Sequence, residues 1–198
     1  MSFHLSTIAT VKGGYPFRGK IPDITGGDSY AVQIKNINEL DEIQWDKLVC
    51  TNLPGRKTPD WLVEGDILFA ARGQRNTAVY VDNVKRPTVC GPHFFLIKVK
   101  ESANVLPEFL AWQLNQAPAQ KYIAQSAEGS LQLSIRRGAL EATPIVMPCL
   151  KEQRAVIEWY KKAKQEKTVL TALIKNSAQQ MQAIAQKILV THQQHSES

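Results

Sequence analysis

The segment Ala71-Arg72-Gly73-Gln74-Arg75-Asn76-Thr77 gathers two guanidinium groups, two carboxamides and a glycine in one short stretch. Those groups suit one kind of chemistry. An arginine fork pairs bidentately with phosphate oxygens or with the O6/N7 edge of guanine, and a Gln or Asn amide pairs with the N6/N7 edge of adenine. A glycine between them lets the backbone approach a surface closely. Arg72, Gly73, Gln74, Arg75 and Asn76 are therefore candidate nucleic-acid contacts, with a solvated polar turn as the plain alternative. Ser130 and Gln132, followed by Arg136 and Arg137, repeat the combination of small polar groups and cations. Arg18, Lys20, Lys35, Arg56, Lys57, Lys85 and Arg86 form a looser set of candidate phosphate contacts, each equally well explained as an exposed charge. Tyr15, Phe17 and Trp61 could stack on bases, but single aromatics beside Pro and Gly read more readily as core anchors.

Enzymatic chemistry finds less support. His4, His93, His192 and His195 have no evident Ser or Cys nucleophile arrangement, and Ser126 and Ser130 have no candidate base nearby in sequence. No Gly-rich loop has phosphate-binding spacing, and no methyltransferase signature is present. Asp23 followed by Gln33-Ile34-Lys35 distantly resembles a metal-nuclease pattern, but Gln33 stands where a second carboxylate is needed. Cys50, Cys90 and Cys149 are odd in number and widely spaced, without a CxxC pair or a His at ligand spacing. Neither a disulfide framework nor a zinc site is indicated, and the thiols read as reduced and structural. No catalytic residue and no metal ligand is assigned.

The candidate contacts need elements to hold them. With 198 residues, 43% of them hydrophobic, the chain can bury one good core and carry an appendage. Its net charge is +6, and residues 47–100 contribute 9 Lys+Arg against 4 Asp+Glu, so the basic excess of the first part sits mid-chain. No apolar run is long enough to span a bilayer and the first residues lack a signal-peptide pattern, so a cytoplasmic protein is expected. Tyr30–Ile34, Asp66–Ala70, Ala78–Val81 and Phe94–Val99 read as strands. Glu108 to Gln116 and Ala119 to Ala127 read as short helices, with the first ending near Pro118. Leu131–Ile135 alternates like a strand, and Ala142 to Met147 reads as the last extended piece. The arrangement predicts an α+β domain with a mostly antiparallel sheet.

From Leu150 to about Thr191 the chain contains neither Gly nor Pro. Tyr160, Lys167, Ile174, Met181 and Ile188 occupy one heptad position, and Ala163, Leu170, Ser177 and Ile184 the other. This coiled-coil pattern predicts a helix about 60 Å long, whose seam needs a partner or a fold-back onto its own domain. Lys167 and Ser177 weaken the seam and suggest a short-lived or composite pairing, or a polar register device, rather than a strong zipper. Tyr160, Leu170, Ile174, Met181, Ile184 and Ile188 are the candidate dimerisation residues.

Five segments stand in order along the chain: Gly13-Gly14-Tyr15-Pro16-Phe17-Arg18, Gln33-Ile34-Lys35-Asn36-Ile37, Glu64-Gly65-Asp66-Ile67-Leu68-Phe69 with Arg72-Gly73, Gly129 to Ile135, and Met147-Pro148-Cys149-Leu150-Lys151-Glu152-Gln153. Together they resemble one target-recognition unit of the specificity subunit of type I restriction-modification systems, over nearly the whole chain. The resemblance implies a DNA-reading domain at 1–148, a spacer and dimerisation helix at 149–191 and a disordered tail at 192–198. It implies no chemistry and no cofactor of the chain's own, with S-adenosylmethionine, Mg²⁺ and ATP held by partner subunits. Those partners would be double-stranded DNA, modification (methyltransferase) subunits and restriction (translocase and nuclease) subunits. Family members usually carry two readers and two antiparallel helices, whereas this chain has one of each. A homodimer through the helix is the natural replacement, and a helix from a different half-subunit is the other. Two further readings are a recognition module of a nuclease-free methylation or defence system, and a stand-alone metal-dependent nuclease.

Overall fold

The computed structural model describes residues 2–55, 58–73, 75–125 and 133–196. The core strand is β5 (Ile67–Ala70), whose residues are all buried. Ile67 and Phe69 face one hydrophobic cluster while Leu68 and Ala70 face a second. A strand covered on both faces reads as a continuous apolar run, and "ILFA" is one. It sits in a four-stranded antiparallel sheet ordered β2 (Ala9–Gly13), β9 (Phe94–Val99), β5, β7 (Ala78–Tyr80). The first face is covered by α1 (Leu5–Ile8), α2 (Pro107–Leu114), α3 (Ala117–Gln125) and α4 (Arg137–Glu141), which supply Leu5, Phe109, Leu110, Leu114, Ile123 and Leu140.

The second face meets a smaller sheet in which β3 (Ser29–Val32) lies between β4 (Val49–Thr51) and β8 (Thr88–Cys90). The β3–β8 pairing is parallel, and every other described pairing is antiparallel. Two further ladders, β1 (Ser2–His4) with β11 (Pro144–Val146) and β6 (Arg72–Gly73) with β10 (Leu133–Ser134), tie distant segments together. The protein is thus an α+β fold with mostly antiparallel sheets, followed by a long helix, α5 (Leu150–Ser196). Gly14 lets the Gly13–Arg18 segment approach Gly91, because a Cβ at Gly14 would strike the Gly91 carbonyl oxygen. Beside it Tyr15 and Phe17 are buried, with ring centroids 5.0 Å apart, as core anchors.

Several boundaries differ from the sequence reading for local reasons. Ile34 ends no strand: Ile34–Asn36 is a 3-10 turn, because the buried Asn36 carboxamide accepts from the Gln33 N–H at 2.9 Å and donates to the Lys47 carbonyl at 2.7 Å. Pro118 does not stop a helix but sits in the first turn of α3, where its missing N–H costs nothing. The stretch expected to begin an extended piece at Ala142 is preceded by α4, and the strand begins only at Pro144. The last helix continues to Ser196 rather than ending near 191, since residues 192–196 contain neither Gly nor Pro.

The chain divides into compact units Met1–Ile157 and Glu158–Ser198. The first takes in two turns of α5, beyond the expected boundary after 148, because Gln153 and Ile157 are buried in it. Gln153 accepts from the Leu106 N–H at 2.8 Å and donates to the Asn104 and Pro148 carbonyls at 3.0 and 2.8 Å. Glu152 receives the Cys149 N–H at 2.9 Å, completing the helix start near its positive end. In the second unit Leu170, Ile174, Met181, Ile184 and Ile188 are exposed, Ile174 by 71%. Among the described residues, no helix is long and apolar enough to cross a membrane.

Candidate nucleic-acid interface

The two segments singled out for nucleic-acid chemistry, some sixty residues apart in sequence, are hydrogen-bonded neighbours. Arg72 pairs with Ser134 and Gly73 with Leu133 across the β6/β10 ladder. Ile135 extends it by donating its N–H to the Ala71 carbonyl at 2.9 Å, and its buried side chain roots the return strand in the core. Ala71 in turn donates to the His93 carbonyl at 2.9 Å. Gly73 has φ +129, a conformation costly to any residue with a Cβ, and a Cβ built there would lie 3.7 Å from the Ile34 side chain. The 3-10 turn carrying Lys35, the 71–73 segment, His93 and the 133–136 segment therefore converge on one surface.

A cleft of about 290 Å³ opens beside it, with Lys20, Gln33, Lys35 and His93 among its walls. Arg18, Lys20, Lys35 and Arg72 are exposed and make no ion pair among the described residues. Cations not neutralised by the protein's own carboxylates are what a polyanion recruits. Arg136 stands exposed at the residue before α4, and Arg137, the first of that helix, pairs with Glu141 at 2.7 Å.

Arg75 and Asn76 lie next to this surface, by a second cleft of about 370 Å³. The Asn76 amide donates to the Ala70 carbonyl at 2.8 Å and so shapes the loop. Arg75 meets Asp41 at 3.1 Å. Lys85 and Arg86 line a separate cleft of about 570 Å³ with Tyr30 and Trp45. There the Arg86 guanidinium lies 4.9 Å over the Tyr30 ring and donates to its hydroxyl at 2.7 Å. Gln74, Ser130, Gln132, Arg56 and Lys57 lie outside the described residues.

Three residues of this region escaped the sequence reading. Asp41 carries no signal of its own in the sequence, although Asn38 three residues earlier is a turn signal. Asn36 carries no separate signal within the Gln33–Ile37 segment. Asn115 holds the edge of β7, accepting from the Ala78 N–H at 2.8 Å and donating to its carbonyl at 2.7 Å.

The two acids whose titration is shifted, Cys90 and Tyr80, line neither of the first two clefts. Burial pushes the Cys90 thiol up to about 12. The Tyr80 hydroxyl is raised by burial first, then by Glu108, Glu64 and Asp82. No cluster of three or more His, Cys, Asp or Glu side chains able to hold a metal ion occurs among the described residues.

An α+β domain with exposed cations around a two-strand ladder, followed by one long helix, defines a recognisable class of fold. No protein-family profile matches the chain and no curated protein does. Solved structures do. The S subunit of a type I restriction-modification system from M. genitalium aligns with 88% of this chain at TM-score 0.58 and 14% identity, over 41% of its own length. The HsdS subunit from Thermoanaerobacter tengcongensis aligns with 86% of this chain at TM-score 0.59 and 14% identity, over 38% of its length. A chain from a structure on complex assembly and conformational transition of the type I R-M system aligns with 86% at TM-score 0.62 and 14% identity, over 39%. The protein has the fold of type I restriction-modification specificity subunits, and spans about two fifths of the length of those it matches.

Proposed function

We propose that this protein is the sequence-reading subunit of a type I restriction-modification complex, with one reader and one spacer helix. The observation that supports the reading most is that Lys20 and Lys35 line the cleft beside the β6/β10 ladder on which Arg72 stands, all three exposed and unpaired by acids among the described residues. In this reading the cations engage phosphates and set the register of the duplex, while Arg72, Arg75 and neighbouring polar groups reach base edges. The subunit performs no chemistry; modification subunits methylate the DNA it selects, and restriction subunits dock through them. The exposed seam of α5 pairs with a second copy, so that two identical readers face an inverted, bipartite target.

The test is methylation mapping by single-molecule sequencing of DNA modified by this chain together with an adenine methyltransferase partner. A single interrupted palindrome is expected. A non-palindromic site refutes the symmetric dimer, and an absence of any site preference refutes the reading itself. Lys35→Ala should weaken binding to all duplexes alike and flatten the slope of log affinity against log salt by about one.

A further inference from the structure

We propose that Asp41 is a specificity-determining positioning residue, holding the Arg75 fork so that its remaining edge reads a base; this rests on the DNA-reading function above. The pair is asymmetric. The Arg75 side chain is 62% exposed, whereas that of Asp41 is 14% exposed and fixed in a built turn. Asp41 has φ +55, a left-handed conformation unusual for a residue with a side chain. The turn is stapled by Asn38, whose carboxamide oxygen accepts from the Leu40 and Glu42 N–H groups at 2.9 and 3.0 Å, while the Asp41 N–H reaches the Asn38 carbonyl at 3.2 Å. An exposed ion pair adds little to stability, so stability alone does not account for a left-handed residue and a stapled turn placed to form one.

The geometry fits a reading role instead. The contact runs from Nη2 of Arg75 to Oδ1 of Asp41, occupying one of the five N–H donors of the guanidinium. One complete two-donor edge of the fork remains, which is what the O6/N7 edge of guanine requires. Fixing a long side chain beforehand removes part of the ordering cost of binding. The same carboxylate repels phosphate, so a misplaced duplex that offers Arg75 only its backbone gains less. Both effects act on discrimination rather than on overall affinity.

Asp41→Asn is the informative change, because Asn tolerates a left-handed φ and retains the shape of the turn. The complex with its methyltransferase partner is titrated against a duplex carrying the mapped methylation site and a duplex with that site scrambled, at one salt concentration. Asp41→Asn should lower the ratio of the two affinities by on the order of ten-fold, with binding to the scrambled duplex unchanged or tighter. Arg75→Ala should lower the ratio as well, and Asp41→Asn added to it should change nothing further. A ratio equal to that of the parent, or the same loss with Arg75 absent, overturns the proposal while leaving the DNA reading intact. If the parent shows no preference for any duplex, the DNA reading falls and the role of Asp41 with it.

Discussion

At the scale of single residues, polar side chains do more to fix this structure than their types announce. Gln153 is fully buried and satisfies three backbone groups from two loops. Removing it strands those groups without partners, which costs more than the lost bonds were worth. Gln153→Ala should lower unfolding stability by about 2 kcal/mol in urea titration. Asp66 is similar: both oxygens meet Lys98 at 2.9 Å, and one also accepts from the Val63 N–H. Cys90 supplies a pH prediction. Folding raises its thiol from 9.0 to about 12, so the fold favours the neutral form. Its stabilising contribution is complete below pH 9 and is lost as pH rises toward 12. Thiol labelling at pH 8 should modify the exposed Cys149 quickly and Cys90 only at the rate of unfolding.

At the scale of elements, the proposed interface rests on a ladder of two residues a side. Such a ladder cannot stand alone; Ile135 in the core and the Ala71–His93 bond hold it in place. Gly73 is its weak point, since the steric room for a side chain exists but the backbone conformation does not favour one. Gly73→Ala should cost about 1–3 kcal/mol of stability or displace the ladder, and DNA affinity should fall with it. Thermal unfolding and duplex titration of the same variant separate the two outcomes. The strands β3, β5, β7 and β9 and the helices α2 and α3 were legible from β-rich runs and helical spacing. The 3-10 turn at 34–36 and the helix at 137–141 were not, because each is set by a capping bond or by a single apolar anchor rather than by a period.

For the whole molecule, the second unit presents its apolar seam to solvent. At 47 residues α5 is about 70 Å long, and an isolated amphipathic helix draws most of its stability from packing. On the proposed dimer, Ile174→Asp with Ile184→Asp should convert the parent dimer to a monomer in light scattering at micromolar concentration, with the reading unit still folded. A monomeric parent under the same conditions counts against pairing of identical copies. The back-bonds from Thr168 to Lys164 and from Thr171 to Lys167 show how the helix accommodates its β-branched polar residues.

The sequence by itself determined the class of fold, the position of the last helix and the kinds of group available for the proposed contact with nucleic acid. Those properties follow from local periods, from the absence of Gly and Pro after Pro148, and from side-chain chemistry that is independent of neighbours. Only the tertiary structure decided which groups act together. It laid the 72–73 segment against 133–134, set the Arg86 guanidinium over the Tyr30 ring in a cleft of its own with Lys85, and set Asp41 against Arg75. Such pairings cross tens of residues, and the core residues that enforce them, Ile135 foremost, look in sequence like any other buried aliphatic. Long-range register is decided by burial and backbone hydrogen bonding summed over the whole fold, and no local pattern encodes that sum.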